Sequence, residues 1–489
     1  MDGGMRRLLA LSSTLFLTLG CGKDDDSTPK AECQLEAIDL SSCQRSTLAD
    51  LQKEGVWHLN VLLEDKTGTA TSLRLASDAS GSKLLGLDVK DQQVSADTFF
   101  LASEADSSDG TKMRFVAAGC TAKSPTQLSG IFRRCRNGAT DLEGTFEATR
   151  VTRRAGEEEA SKLELVAELA LPRGSATEMA VANGRAYVTA GSEGLFIYDV
   201  STPTQPRKVG ELRPASDVFK DVLVHGQTLY VATQNNGIAV FDLTNPDEPA
   251  RVRSIPEKPV EVNGLAIDGN RLFAAAPSPY AEVLVFDITS PTAPTLQTRY
   301  YVSGTTPELG DRPMDVAAMD NRLYVSHWTY GLTVLELKPT ATTLSLEYLG
   351  RYGTRTSRTA AVGVVGSRTL AFDAGEDWGA HLTVLNVTNP KVSVDQVGEF
   401  RLRPEVSIRS VTLVGTKLYV SYYQDGLRVL DVSVPGEPRQ VAYYNTWRES
   451  DVGRGVTFFD GLNTVRVPGD GYIYATETAR GLMIFRETE

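Results

Sequence analysis

Arginine recurs at one place in four successive stretches of the later chain. Arg312, Arg358, Arg409 and Arg454 each stand shortly before a segment that reads as a short strand. A guanidinium presents five N–H donors in a rigid fork and grips carboxylate or phosphate with two of them. Arginines converging from several strands would therefore make an anion site. Aromatic residues recur at a second place, after the following strand: His327-Trp328-Thr-Tyr330, Trp378 and Tyr422-Tyr423, with Trp447 beyond. Aromatics on loops offer flat faces to a sugar or peptide. Arg312, Arg358, Arg409, Arg454, Trp328, Trp378 and Tyr423 are thus the candidate ligand contacts. Asp217, Lys220, Asp221, Glu261, Asn263, Asp311 and Asp315 are expected around them. The same pattern also fits charges that pair with one another and aromatics that pack between loops.

Catalytic signatures are missing from the sequence. It has no GxSxG, HExxH, phosphate loop or CxxC. Of its four histidines, His225, His327 and His381 are scattered singly. Glu376, Asp377, Asp311 and Asp315 lack recognisable ligand spacing, so neither a metal nor a cofactor is expected. A binding or interaction scaffold for protein, peptide or glycan is the leading reading. A hydrolase or lactonase sited in a channel, with or without a metal, is the alternative, and three or more carboxylates or histidines converging within metal-ligand distance at the channel mouth would favour it.

The elements that would position these residues follow a repeat. Gly194-Leu-Phe-Ile-Tyr-Asp199, Gly237-Ile-Ala-Val-Phe-Asp242 and Gly426-Leu-Arg-Val-Leu-Asp431 are its clearest copies, and degraded ones end at Asp287, Glu336, Asn386 and Arg486. The spacings lie between 43 and 55 residues, a period typical of a β-propeller. Before each copy come a tight turn such as Asn183-Gly184, His225-Gly226 or Asp460-Gly461, and a strand such as Leu229-Tyr-Val-Ala. Four copies end in Asp-x-x-x-Pro-x-x-Pro, as in Asp199/Pro203/Pro206, where Asp caps the turn and proline ends the ladder. Residues 462–471 read as an insertion in the last copy. The chain stops after the third strand of that copy, while Leu163–Leu169 is an outer strand with no inner partners. It is expected to close the ring and cover the bare edge. The repeat resembles the LVIVD repeat of bacterial and archaeal surface proteins over residues 162–489. That resemblance implies a propeller and transfers no catalytic residues.

The first 21 residues read as a lipoprotein signal peptide: Arg6-Arg7, an apolar stretch Leu8–Leu19, then Gly20-Cys21. The ending resembles the lipobox of bacterial lipoproteins, which implies lipid attachment at Cys21, a membrane anchor and a place in the cell envelope, expected to be the outer membrane. Thr18 stands where that family usually has Leu. Residues 22–30 read as a polar tether, 31–152 as a small disulfide-bonded β domain, 153–161 as a charged linker. Cys33, Cys43, Cys120 and Cys135 fit two disulfides in an exported chain. Three connectivities are open, with the short loops Cys33–Cys43 and Cys120–Cys135 favoured. About seven short strands between 56 and 151 read as an antiparallel barrel or sandwich, after one short helix at 46–53. Trp57, Phe99, Phe100, Phe115, Phe132 and Phe146 are its expected core. The whole is therefore all-β: a seven-bladed propeller behind a small barrel or sandwich. A net charge of −12 leaves no excess of cations for a nucleic-acid backbone.

Overall fold

The structure, a computed structural model, describes residues 32–64, 66–107, 109–340, 343–353 and 356–489. The signal peptide, Cys21 and the tether lie outside the described residues. The chain divides into two compact units, one ending at Thr152 and taking in Gly455–Phe458, the other holding the rest.

In the first unit, eight antiparallel strands close into a barrel. Gly55–Leu63 completes it by pairing with Ala139–Arg150, in the register Trp57↔Arg150 to Leu63↔Gly144. Alternation along the strands sends Trp57, Phe99, Phe115, Phe132 and Phe146 into one core with Leu59, Leu73 and Leu101. Phe100 points the other way and packs in a second cluster with Cys33, Ile38 and Cys135. The interior is filled by side chains, as expected of a barrel this small. The expected helix is a 3-10 turn at Arg45–Asp50.

The disulfides are Cys33–Cys135 and Cys43–Cys120, not the two short loops. Strand register explains the correction. Cys120 and Cys135 do lie on neighbouring strands, Lys112–Ser124 and Gln127–Arg136, but Cys135 faces Arg114. The residues between Arg114 and Cys120 put about 20 Å between the two cysteines at the rise of a strand, while a disulfide needs its Cα atoms about 6 Å apart. The N-terminal segment instead lies along this pair of strands and reaches each cysteine in turn.

The second unit is a seven-bladed propeller of four-stranded antiparallel sheets. Blade one is Met179–Ala182, Arg185–Thr189, Leu195–Asp199 and Arg207–Leu212. Inner strands of the other blades begin at Phe219, Gly264, Asp315, Thr359, Ser410 and Leu462. Leu163–Leu169 is the outer strand of blade seven, paired with Gly481–Glu487 from Leu163↔Glu487 to Leu169↔Leu482. First and last segments thus share one sheet, which closes the ring.

The repeat residues make the joints between blades. Asp199, Asp242, Asp287 and Asp431 each accept a hydrogen bond from the backbone N–H two residues on, at 2.7–3.1 Å. The proline turn so formed reaches the preceding blade: Tyr187 and Tyr230 donate to the carbonyls of Pro246 and Pro291, at 3.4 and 2.7 Å. Gly210 allows that approach, since a Cβ there would sit 2.0 Å from the Asp247 carbonyl.

Blade seven differs from its sequence reading. The supposed insertion contains its inner strand, Leu462–Arg466, and the hairpin turn follows it, with Gly469 and Gly471 at positive φ. Gly461 is needed for another reason: its Cβ would lie 2.4 Å from the backbone of Tyr423. Residues 153–161 are not a free linker either. Ala160–Ser161 pairs with Tyr443 and Tyr444 as a fifth strand of blade six.

Candidate functional site at the channel mouth

Each inner strand starts at the same end of the channel, and the loops between second and third strands gather there. Lys220 and Asp221 come from blade two, Glu261 and Asn263 from the approach to blade three, and Asp315 from blade four. Arg358 and Arg409 sit one residue ahead of the inner strands of blades five and six. Loop residues Glu376 and Tyr423 join them, with Glu178 of blade one and Arg466 of blade seven.

Arg358, Arg409, Arg466, Glu178 and Glu376 form one ionic network, and Lys220 with Glu261 a separate pair. Arg409 pairs with Glu178 at 2.6 Å and lies 3.9 Å from Glu376. Arg358 pairs with Glu376 at 3.2 Å and donates to the Met314 carbonyl at 3.4 Å. The Tyr423 hydroxyl also donates to Glu376. Arg466 reaches Glu178 at 3.5 Å, and Lys220 pairs with Glu261 and donates to Asn263 at 2.7 Å. Asp315 accepts from Thr359 at 2.7 Å, and Asp221 accepts from the Leu265 backbone at 2.8 Å. All of these bonds but Arg358–Glu376, which lies within blade five, join different blades, so they brace the ring. Arg358, Arg409 and Arg466 remain half-buried, and a guanidinium has five N–H donors, more than these bonds use.

The electrostatics follow from depth. Burial raises Asp221 to about 7, reinforced by the nearby charges of Glu178 and Asp315. Burial also raises Asp315, against the pull of Arg358. Burial opposes the charge on Arg409, but Glu178, Tyr423 and Glu376 outweigh it and raise its pKa. The mouth thus holds cations beside a carboxyl that keeps its proton to a higher pH than usual. Asp221, Arg466 and Leu265 also line a cavity of about 200 Å³, with Ala180, Ala182, Leu223 and Val224. Full ligand pockets run from about 300 to 1,000 Å³, so this one takes a single small polar group.

Among the sequence candidates, the structure brings together Arg358, Arg409 and Tyr423. Tyr423 is buried rather than presented as a flat face, because its hydroxyl is tied to Glu376. Arg454 is elsewhere, enclosed by Asp451, Asp460 and Glu477 at 2.7, 3.2 and 2.6 Å. It precedes the inner strand of blade seven by eight residues, not one, because the hairpin was displaced in the sequence reading. Arg312 stands three residues ahead of its strand and turns back to the carbonyl of Pro307 at 2.9 Å. Trp328 and Trp378 are half-buried in their loops. Trp328 exchanges two backbone hydrogen bonds with Ser357, both 2.9 Å, at a φ of 47°. Tyr423 has a φ of 29° where the matching bridge of blade one uses Gly191, so two bulky residues hold a conformation that favours glycine. Glu178 and Arg466 escaped the sequence reading. Glu178 precedes the first inner strand, before any repeat has set the phase, and Arg466 lay in the supposed insertion.

Among the described residues, no group of three or more His, Cys, Asp or Glu side chains is placed to hold a metal ion. His327 is buried, which lowers it to about 4.

Residues 173–212, 219–255 and 407–446 match the LVIVD repeat; these are blades one, two and six. No curated protein matches the chain. Among solved structures, the WD40 β-propeller domain of Doa1 is similar at 9% identity and a TM-score of 0.48, over 67% of this chain and 98% of that one. The computationally designed Ika8 protein is similar at 8% identity and a TM-score of 0.44, over 66% of this chain and 99% of that one. Sheet topology and repeat matches together make this chain a seven-bladed β-propeller protein that carries LVIVD repeats.

Proposed function

We propose that this is an exported, lipid-anchored protein of the cell envelope whose propeller is a binding scaffold, taking a charged unit of a peptide or glycan at the channel mouth. One observation carries the reading: acidic and basic side chains from several blades converge at one end of the channel, on guanidinium groups with more N–H donors than their carboxylate partners use. The small cavity beneath fits one side chain or sugar unit, so the rest of the partner would lie across the loops near Trp328 and Trp378. Arg358 and Arg409 would supply the ionic contacts.

Export is supported by two disulfides, which persist in oxidising compartments. Mass spectrometry of the mature N-terminus tests the anchor. Lipid on Cys21, lost in Cys21→Ser, is the expected result; an unmodified terminus elsewhere removes the anchor from the proposal. For binding, a peptide and glycan array probed with the mature protein is expected to give hits that Arg358→Ala with Arg409→Ala abolishes.

A further inference from the structure

A charge stands inside the propeller at a level where the other blades have none. Arg466 pairs with Tyr474, which pairs in turn with Ile484 at the Val position of the repeat. The inner-strand residues at that level of the other blades are Ala180, Leu223, Ala266, Ala317, Ala361 and Thr412. The joint between blades therefore does not call for an arginine here. Two residues nearer the mouth, the corresponding level carries Asp221 and Asp315, about 7 Å away at the rise of a strand.

Arg466 and Asp221 line the same cavity of about 200 Å³ without pairing across it. Among the described residues Asp221 has no ion pair; it accepts from the backbone N–H groups of Val222 and Leu265 at 2.7 and 2.8 Å. Arg466 donates to the Thr464 hydroxyl and the Val465 carbonyl at 2.7 and 3.0 Å and reaches Glu178 at 3.5 Å. Those bonds leave donors of its five over. Every other described residue of the wall, Ala180, Leu223 and Leu265 among them, is apolar. A cation and a carboxyl that share a cavity without touching are complementary to a small group that carries both charges in the opposite sense.

We propose that this cavity seats an α-amino-acid head group, its carboxylate on Arg466, its ammonium on Asp221 and a small apolar side chain against the remaining wall. The proposal rests on the channel mouth as the binding end of the propeller and names the charged unit taken there. Charge-assisted hydrogen bonds at both ends fix the orientation. A ligand with one charge alone satisfies one end and strips water from the other.

Isothermal titration calorimetry of the mature protein with alanine, propionate and ethylamine tests it. Saturable binding of alanine is expected, with propionate and ethylamine each weaker by about tenfold or more, the range for a lost charged hydrogen bond. Asp221→Asn and Arg466→Gln should each weaken alanine as much. An unchanged melting temperature shows that they fold, and Asp221→Asn keeps the shape of the side chain. Affinity should also climb about tenfold between about pH 6 and about pH 8, since Asp221 must be ionised to take an ammonium. Burial, Glu178 of blade one and Asp315 of blade four hold its carboxyl up at about 7, and Arg466 of blade seven opposes them. Lys220 beside it is engaged by Glu261 and Asn263. The climb should vanish in Asp221→Asn. No saturable alanine binding, equal binding of either one-charge analogue, or equal alanine binding by Asp221→Asn would each overturn the proposal. Array hits that persist while alanine fails to bind would overturn the head group alone and leave the channel-mouth reading standing. Alanine binding without any array hit would support the head group, as a free amino acid, and overturn the peptide-or-glycan reading.

Discussion

Replacing Arg454 with methionine is expected to destabilise the propeller by about 3–5 kcal/mol, the cost of breaking a buried ion pair from one side. The guanidinium is 1% exposed, and Glu477 and Asp460 beside it are 0% and 4% exposed. Asp451 and the Trp447 ring, 5.5 Å from the guanidinium carbon, complete the enclosure. Burial already raises Glu477, and Arg454 is the main force against that rise. Without the arginine, Glu477 must take up a proton or remain an uncompensated charge. Denaturant unfolding followed by tryptophan fluorescence reads the loss. Glu477→Gln in the Arg454→Met background should recover part of it, since it removes the orphaned acid. A single variant within 1 kcal/mol of wild type would show that the enclosure is open to water.

Loss of the Cys33–Cys135 bridge is expected to cost the barrel about 3–4 kcal/mol, because with Cys43–Cys120 intact it closes a ring of roughly 27 residues. The bridge spans 102 residues, and Cys43–Cys120 spans 77. Long loops lose the most unfolded-state entropy on closure, whereas the short pairings favoured by sequence would have gained less. Both bridges also fasten a segment that, among the described residues before Gly55, has two short 3-10 turns, Leu35–Ala37 and Arg45–Asp50, as its regular structure. In Cys33→Ser with Cys135→Ser, hydrogen exchange through Gln127–Arg136 should accelerate by about a few hundredfold, the equivalent of that free energy. Protection equal to wild type would mean that the bridge only pins the N-terminal segment.

The propeller was legible because its signals are local. Positive-φ turns, the Asp cap and alternating apolar strands repeat within each blade, and the orphan strand Leu163–Leu169 follows from counting them. What failed was register. Asp460-Gly461 looks like the hairpin turns of other blades, yet Gly461 serves a close approach to Tyr423. That one substitution of cause hid the inner strand Leu462–Arg466 and with it Arg466, and it promoted Arg454 to a place it does not hold. The disulfides failed alike: which cysteine faces which depends on the pairing of Arg114 with Cys135, a non-local fact. Arg358 and Arg409 were found because they sit at one phase of the repeat. Their partners Glu178 and Glu376 come from outside that phase.

The channel-mouth reading is tested most directly by the affinity of an array-selected ligand for wild type, Arg358→Lys with Arg409→Lys, and Arg358→Ala with Arg409→Ala, each at two salt concentrations. Lysine keeps the charge that Glu178 and Glu376 need but loses the fork. The reading predicts that the lysine pair folds as wild type and binds about tenfold or more weakly, that the alanine pair does not bind, and that wild-type affinity falls with salt. Wild-type affinity in both pairs would contradict it and leave the network as a brace between blades.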